Sequence, residues 1–134
     1  MTKIYLSASY SRREEMVNYA KQLEVYSSQF LVVSSWIWNP NSNIRRYPIQ
    51  VASQNRLDIE SSDLIVFFTE EIEGAKPSSG GRHWELGYYM GFYNNSINNV
   101  YVIGKLKNSF HSLIDSKNRF ETFEQFLESF NKLQ

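Results

Sequence analysis

Leu64-Ile65-Val66-Phe67-Phe68 is an uninterrupted apolar run. After a polar loop containing Pro77 it is followed by Ser78-Ser79-Gly80-Gly81-Arg82-His83-Trp84-Glu85-Leu86-Gly87-Tyr88-Tyr89-Met90-Gly91. A short apolar run, then a loop, then an amphipathic segment reads as a strand buried on both faces of a parallel sheet and feeding a helix. Gly80 and Gly81 let the backbone approach a ligand with no side chain in the way. Free N–H groups and the positive dipole end at such a helix start suit an anion. Glu85 sits in the first turns of this helix between Trp84 and Leu86, outside any run of charged surface residues. A carboxylate fixed at the top of a parallel sheet is a candidate nucleophile or base.

Outward from this unit the chain alternates. Strands are expected at 3–8, 30–33, 64–69 and 100–103, with a short fifth at Arg119-Phe120. Helices are expected at 12–26, 48–62 and 81–93. A last helix opens at Thr122 with a Thr-x-x-Gln capping box ending at Gln125, and its buried stripe is Phe123, Phe126, Leu127, Phe130 and Leu133. Alternation in Ser34-Ser35-Trp36-Ile37-Trp38 predicts an extended exit from the second strand, and Asn39 to Asn43 reads as a loop. A helical turn is expected around Phe110 to Leu113. The pattern implies an α/β class: right-handed crossovers and a three-layer α/β/α arrangement around a five-stranded, mainly parallel sheet. Ligands of such sheets bind at the carboxyl ends of strands near a switch in strand order, here the crevice flanked by strands one and three.

A chain of 134 residues with 42% hydrophobic side chains is sized for one domain spanning 1–134. Fourteen basic and fourteen acidic residues cancel, which argues against a nucleic-acid polymer as partner. The absence of cysteine excludes disulfides and thiolate chemistry, and two histidines are a poor start for a zinc site, so no metal and no cofactor are expected. No signal peptide or apolar run of spanning length is present, so the expectation is a cytoplasmic protein with no membrane partner. Aromatic residues reach 16%, surface suited to a ligand pocket, a subunit interface or simply the core.

Around Glu85 the first strand offers Tyr5, whose phenol can hydrogen-bond and orient a carboxylate. Asp58 and Asp63 precede the third strand; Asp58 is placed to serve a leaving group, whereas Asp63 suits a helix end. Ser79, Gly80 and Gly81 can cradle a phosphate or a ribose hydroxyl. Ser9, Arg12 and Arg13 follow the first strand at the same sheet edge, where a guanidinium can donate twice to phosphate. His83 faces elsewhere on the helix from Glu85, and His111, in the loop after the fourth strand, is kept as a site residue.

Three pieces together resemble the nucleoside 2-deoxyribosyltransferases and the related 2′-deoxynucleoside 5′-monophosphate N-glycosidases. They are Ile4-Tyr5-Leu6, Asp63-Leu64-Ile65-Val66 and Gly80-Gly81-x-x-x-Glu85-Leu86-Gly87. The resemblance runs from about Lys3 to Phe123. It implies a flavodoxin-like sheet, a small-molecule nucleotide or nucleoside as partner, and a homodimer or higher homo-oligomer with shared active sites. It also implies a double displacement in which Glu85 attacks C1′ to give a covalent deoxyribosyl ester, with Tyr5 orienting it. Where transferases acting on free nucleosides carry an acid for the sugar 5′-hydroxyl, this chain has Ser79, as the monophosphate N-glycosidases do, so a 5′-monophosphate is the expected substrate. The family acid that assists the departing base is replaced by Asn55, with Asp58 one helical turn later as the substitute. Spacing from Glu85 points to Ser109 as the small polar residue lent by a neighbouring subunit. Arg82 and His83 are untypical of the transferases and are left without a role. The competing expectation is a nucleotide-binding sensor or regulatory module on the same fold, without turnover. A third reading is cleavage of a nicotinamide dinucleotide at the ribose C1′, which lacks an obvious second nucleotide subsite.

Overall fold

The computed structural model describes residues 1–39, 47–75, 80–92, 96–107 and 109–130. Strands β1 (Thr2–Ser7), β2 (Phe30–Val32), β3 (Leu64–Phe68), β4 (Val100–Ile103) and β5 (Arg119–Phe120) form one sheet in the order β2-β1-β3-β4-β5. Every pairing is parallel. The helices are α1 (Arg13–Tyr26), α2 (Pro48–Ser61), α3 (Gly81–Phe92) and α4 (Phe123–Ser129). This is the flavodoxin-like strand order, whose direction of winding reverses between β1 and β3.

The apolar run of β3 is buried along its whole length because it has a strand on each side and helices on both faces. Side chains alternate between those faces. Phe68 looks to the α1 side, where Tyr19 stacks on it at 5.6 Å and on Phe123 of α4 at 4.0 Å. Met16, Ala20 and Leu23 are the buried positions of α1, one face at helical spacing. On the opposite face α2 packs against α3. Tyr89 of α3 is fully buried there, and its hydroxyl donates to the Asp63 carbonyl at 2.9 Å. Asp63 joins the starts of two strands: its Oδ2 accepts the Lys3 N–H at 2.7 Å, and its own N–H donates to the Lys3 carbonyl at 2.7 Å.

One segment differs from the sequence expectation. Ser35–Trp38 is a 3-10 helix and not an extended exit from β2. Side chains take over the pairing of β1 at this level: Ser34 Oγ accepts the Leu6 N–H at 2.6 Å, and the Trp36 indole donates to the Leu6 carbonyl at 2.8 Å. With both backbone groups of Leu6 satisfied, β2 has no ladder to continue, and the chain turns while burying Trp36 and Ile37. A 3-10 turn at Tyr10–Arg12 likewise precedes α1, which starts at Arg13.

The expected turn after β4 is a 3-10 helix at Ser109–Leu113. Thr122 caps α4, accepting the Gln125 N–H at 3.2 Å, while Gln125 Oε1 accepts the Glu121 N–H at 2.9 Å. Leu133 and the end of the third helix at Tyr93 lie outside the described residues. No helix among the described residues is long and apolar enough to cross a membrane.

Gly104 closes β4 at φ +111°, donating its N–H to Phe120 at 2.8 Å. A Cβ built there would lie 2.3 Å from Thr69 Oγ1. Thr69 directly follows the neighbouring β3, and its carbonyl accepts Arg82 Nη2 of α3 at 3.2 Å.

Candidate active site

Period-two alternation aims Tyr5 and Ser7 of β1 at the same face, the one covered by α3. Both are fully buried. Glu85, on the second turn of α3, reaches down to them. Its Oε2 accepts a hydrogen bond from the Tyr5 hydroxyl, and its Oε1 accepts one from Ser7 Oγ at 2.9 Å. This junction lies beside the β1/β3 switch, where a crevice is expected. Gly80 at φ +90° begins the helix, its carbonyl accepting from His83 and Trp84 at 3.1 and 3.3 Å. A Cβ built on Gly80 or Gly81 would meet nothing within 4 Å among the described residues.

Burial pushes the Glu85 carboxyl up to about 7, against the lowering effect of the Tyr5 and Ser7 hydrogen bonds and with a further upward push from Asp58. Burial, then the adjacent Glu85, raises the Tyr5 phenol well above its ordinary value, so Tyr5 stays a donor. Glu85 can thus cycle between carboxylate and acid near neutral pH while two hydroxyls fix its direction.

Asp58 of α2 is buried, and both of its oxygens are engaged. Oδ2 accepts the Ser35 N–H at 2.9 Å, and Oδ1 accepts the Gln54 amide at 2.8 Å. Asn55 lies one turn earlier on the same helix, nearer the carboxyl-end edge of the sheet, because α2 runs antiparallel to the strand it feeds. Its Oδ1 is buried without a hydrogen-bond partner among the described residues.

The arginines that follow β1 are held to different degrees. Arg12 makes a two-pronged pair with Glu15, both contacts at 2.8 Å, and donates to the Glu70 carbonyl at 3.0 Å with its guanidinium over Phe68. Arg13 donates to the Ile37 carbonyl at 2.8 Å. All three guanidinium nitrogens of Arg12 are thus engaged, whereas Arg13 is held through Nη1. Ser9 is buried and bonds Ser11 at 2.9 Å. Ser109 is exposed in the turn after β4. Ser79 lies outside the described residues.

His111 is buried and packs its ring on Phe67 at 5.4 Å, on the Glu85 side of the sheet. The structure therefore brings Tyr5 onto Glu85, with Asp58 close enough for its charge to act on both, and puts His111 toward β4 on the same face of the sheet. Sequence reading missed Ser7. The signal was its place two residues beyond Tyr5 in a strand, hence on the same face. It also gave Arg82 no place: Arg82 is buried, with Nη1 on Glu71 at 3.0 Å and Nη2 on the Thr69 carbonyl.

No family model and no curated protein sequence matches the chain. Among solved structures it is similar to the Clostridium botulinum CMP N-glycosidase BcmB, with a TM-score of 0.59 over 99% of this chain and 100% of that one at 14% identity. At that identity the likeness is one of fold, and it agrees with the flavodoxin-like layout expected from the sequence.

Proposed function

We propose that this chain, acting as one domain, cleaves the N-glycosidic bond of a 2′-deoxynucleoside 5′-monophosphate. The observation that carries this reading is the Glu85 carboxyl, held by Tyr5 and Ser7 at the β1/β3 switch and poised near neutrality. A Glu85 oxygen attacks C1′ as the C1′–N bond breaks, and the base departs with that electron pair and takes a proton. Water then attacks C1′ and the ester C–O bond breaks, which restores the carboxylate. The net change puts hydroxide on the sugar and hydrogen on the base. If a second base replaces water, the same intermediate gives transfer. A fold shared with a protein described as a CMP N-glycosidase supports hydrolysis as the first reaction to test.

Tyr5 and Ser7 orient the nucleophile. Asp58, with both oxygens engaged, holds the α2 wall, and Asn55 meets the base. The partner is a small nucleotide in the cytoplasm, and a second copy completes the assembly. Supporting that, Trp84, Tyr88 and Phe92 form a stacked aromatic row on α3, with neighbouring ring centroids 5.0 and 6.0 Å apart, and Trp84 and Phe92 are 57% and 50% exposed. They lie on the helix that carries Glu85, so a partner there reaches the site's rim.

Incubation with deoxynucleoside monophosphates, with and without an acceptor base, tests the reading. Base release by the wild type and its loss in Glu85→Ala are expected, and release that survives the substitution would overturn it. The second reading, a nucleotide-binding module without turnover, draws on Asn55 standing where the resemblance expects an acid. A nucleotide that stays bound and intact through long incubation would favour it.

A further inference from the structure

Arg82 and His83 meet His111 on the β4 side of the site. Phe67 pairs with Ser7 across β1 and β3, so its ring shares the face of the sheet that carries Tyr5 and Ser7. The His83 and His111 rings each lie 5.4 Å from the Phe67 ring, and they stand 6.3 Å from each other and 12° from parallel. The Arg82 carbonyl lies 3.5 Å from Ser7 Oγ, the same hydroxyl that donates to Glu85. The imidazoles are thus one strand away from the proposed nucleophile.

Charge is distributed unequally across this crevice. On the α2 side stand Asp58 and the neutral amides of Gln54 and Asn55. On the β4 side stand two imidazoles and a buried guanidinium, the last paired with the half-exposed Glu71 at 3.0 Å. A nucleoside monophosphate with C1′ at Glu85 has its base and its phosphate on opposite sides of the sugar. The dianion is disfavoured beside Asp58 and favoured beside Arg82 and the histidines.

The two histidines differ. His111 is buried, and its Nδ1 accepts the Lys107 N–H at 3.1 Å, which puts the neutral ring's proton on Nε2. Burial, then His83 and Arg82, hold it below the ordinary imidazole value. His83 is solvent-exposed. Burial of its ring and then Arg82 lower it, and Glu71 from the loop after β3 raises it. Facing it are Arg82 on its own helix, Glu71, and His111 from the turn after β4; Phe67 of β3 adds no charge.

We propose that His83, seated on the Phe67–His111 shelf beside Arg82, receives the 5′-phosphate and so makes a nucleoside monophosphate, rather than a nucleoside, the preferred ligand. This rests on the reading of Glu85 as the group facing C1′. His83 is largely neutral in the free protein at neutral pH, and the arriving dianion makes protonation favourable, so binding takes up a proton. Affinity therefore strengthens as pH falls from about 8 towards about 6.5, until protonation of the phosphate, whose second pKa is about 6, removes the dianion.

The test uses Glu85→Gln protein, which binds without forming the ester. It is titrated calorimetrically with dCMP and with deoxycytidine at pH 7.5, in two buffers of different ionisation heat. Adding His83→Gln is expected to lower the ratio of dCMP to deoxycytidine affinity by about tenfold or more and to abolish the proton uptake. His83→Lys, a permanent cation, should restore the ratio without restoring the uptake. An unchanged ratio, or uptake that persists in His83→Gln, overturns the proposal. Turnover by the wild-type protein is scored separately. Selective dCMP binding without turnover would sink the enzymatic reading and leave the phosphate assignment standing. Turnover with no His83 effect would do the reverse.

Discussion

Glu85 and Asp58 are carboxylates on neighbouring helices, each held by two donors, yet they are held in different ways. Asp58 takes the backbone N–H of Ser35 and the amide of Gln54, so it ties the turn after β2 to α2. Glu85 takes two hydroxyls from a single strand. A backbone donor is fixed by the fold, and the group that satisfies it contributes to folding. Hydroxyls can turn and can also accept, so they aim a carboxyl without committing it to one protonation state. Under the proposed function, the contrast separates a carboxylate that fastens the structure from one free to react.

Paired substitutions test that separation. Glu85→Gln is expected to cut base release by about a thousandfold or more, measured as kcat on a deoxynucleoside monophosphate. The same change should stabilise the protein at alkaline pH. A carboxyl near 7 when folded and 4.5 when unfolded binds its proton more tightly in the folded state, so it lowers stability progressively as pH rises from about 4.5 to about 7. Denaturant unfolding at pH 8 should show a gain of up to about 3 kcal/mol. A loss would mean that Glu85 fastens the fold as Asp58 does.

Tyr5→Phe should lower kcat by roughly ten- to a hundredfold, since it removes the donor that aims the proposed nucleophile. It should also shift the pH profile. In the wild type the acid limb of kcat/KM should turn near pH 7, where Glu85 ionises. The Tyr5 bond lowers the Glu85 value, so the variant's limb should move to higher pH. An unmoved limb would assign the titration to another group.

Asp58→Asn should cost about 1–3 kcal/mol of stability, read by thermal or denaturant melting, through the lost charge-assisted hydrogen bond. Turnover should stay within about fivefold. A folded Asp58→Asn protein with abolished turnover would identify Asp58 as the acid for the departing base and erase the contrast. Ser7→Ala is expected to have the smallest effect on turnover, a few-fold fall in kcat, because Tyr5 still holds the other oxygen.

The sheet was legible because buried parallel strands announce themselves as apolar runs, and Leu64–Phe68 is the clearest. Glu85 and Tyr5 were legible because a helix start after such a strand and an alternating strand residue have fixed directions. Long-range bonding was not legible. Nothing near Leu6 in the sequence says that Ser34 and Trp36 will satisfy its backbone, so Ser35–Trp38 read as strand. Arg12 looked available for phosphate because its bond to the Glu70 carbonyl joins residues far apart in the chain. Arg82 resembled any surface arginine until Thr69 and Glu71 folded around it.

The crowded end of β4 has a consequence for engineering this protein. Any side chain at Gly104 would drive Thr69 aside, and Thr69 is where Arg82 anchors the start of the helix that carries Glu85. A position with no reactive atom and two strands removed from Tyr5 is therefore linked, through Thr69 and Arg82, to the helix that carries Glu85. A mutational library confined to the residues around Glu85 would overlook it, and any substitution there would carry the strain of its left-handed backbone.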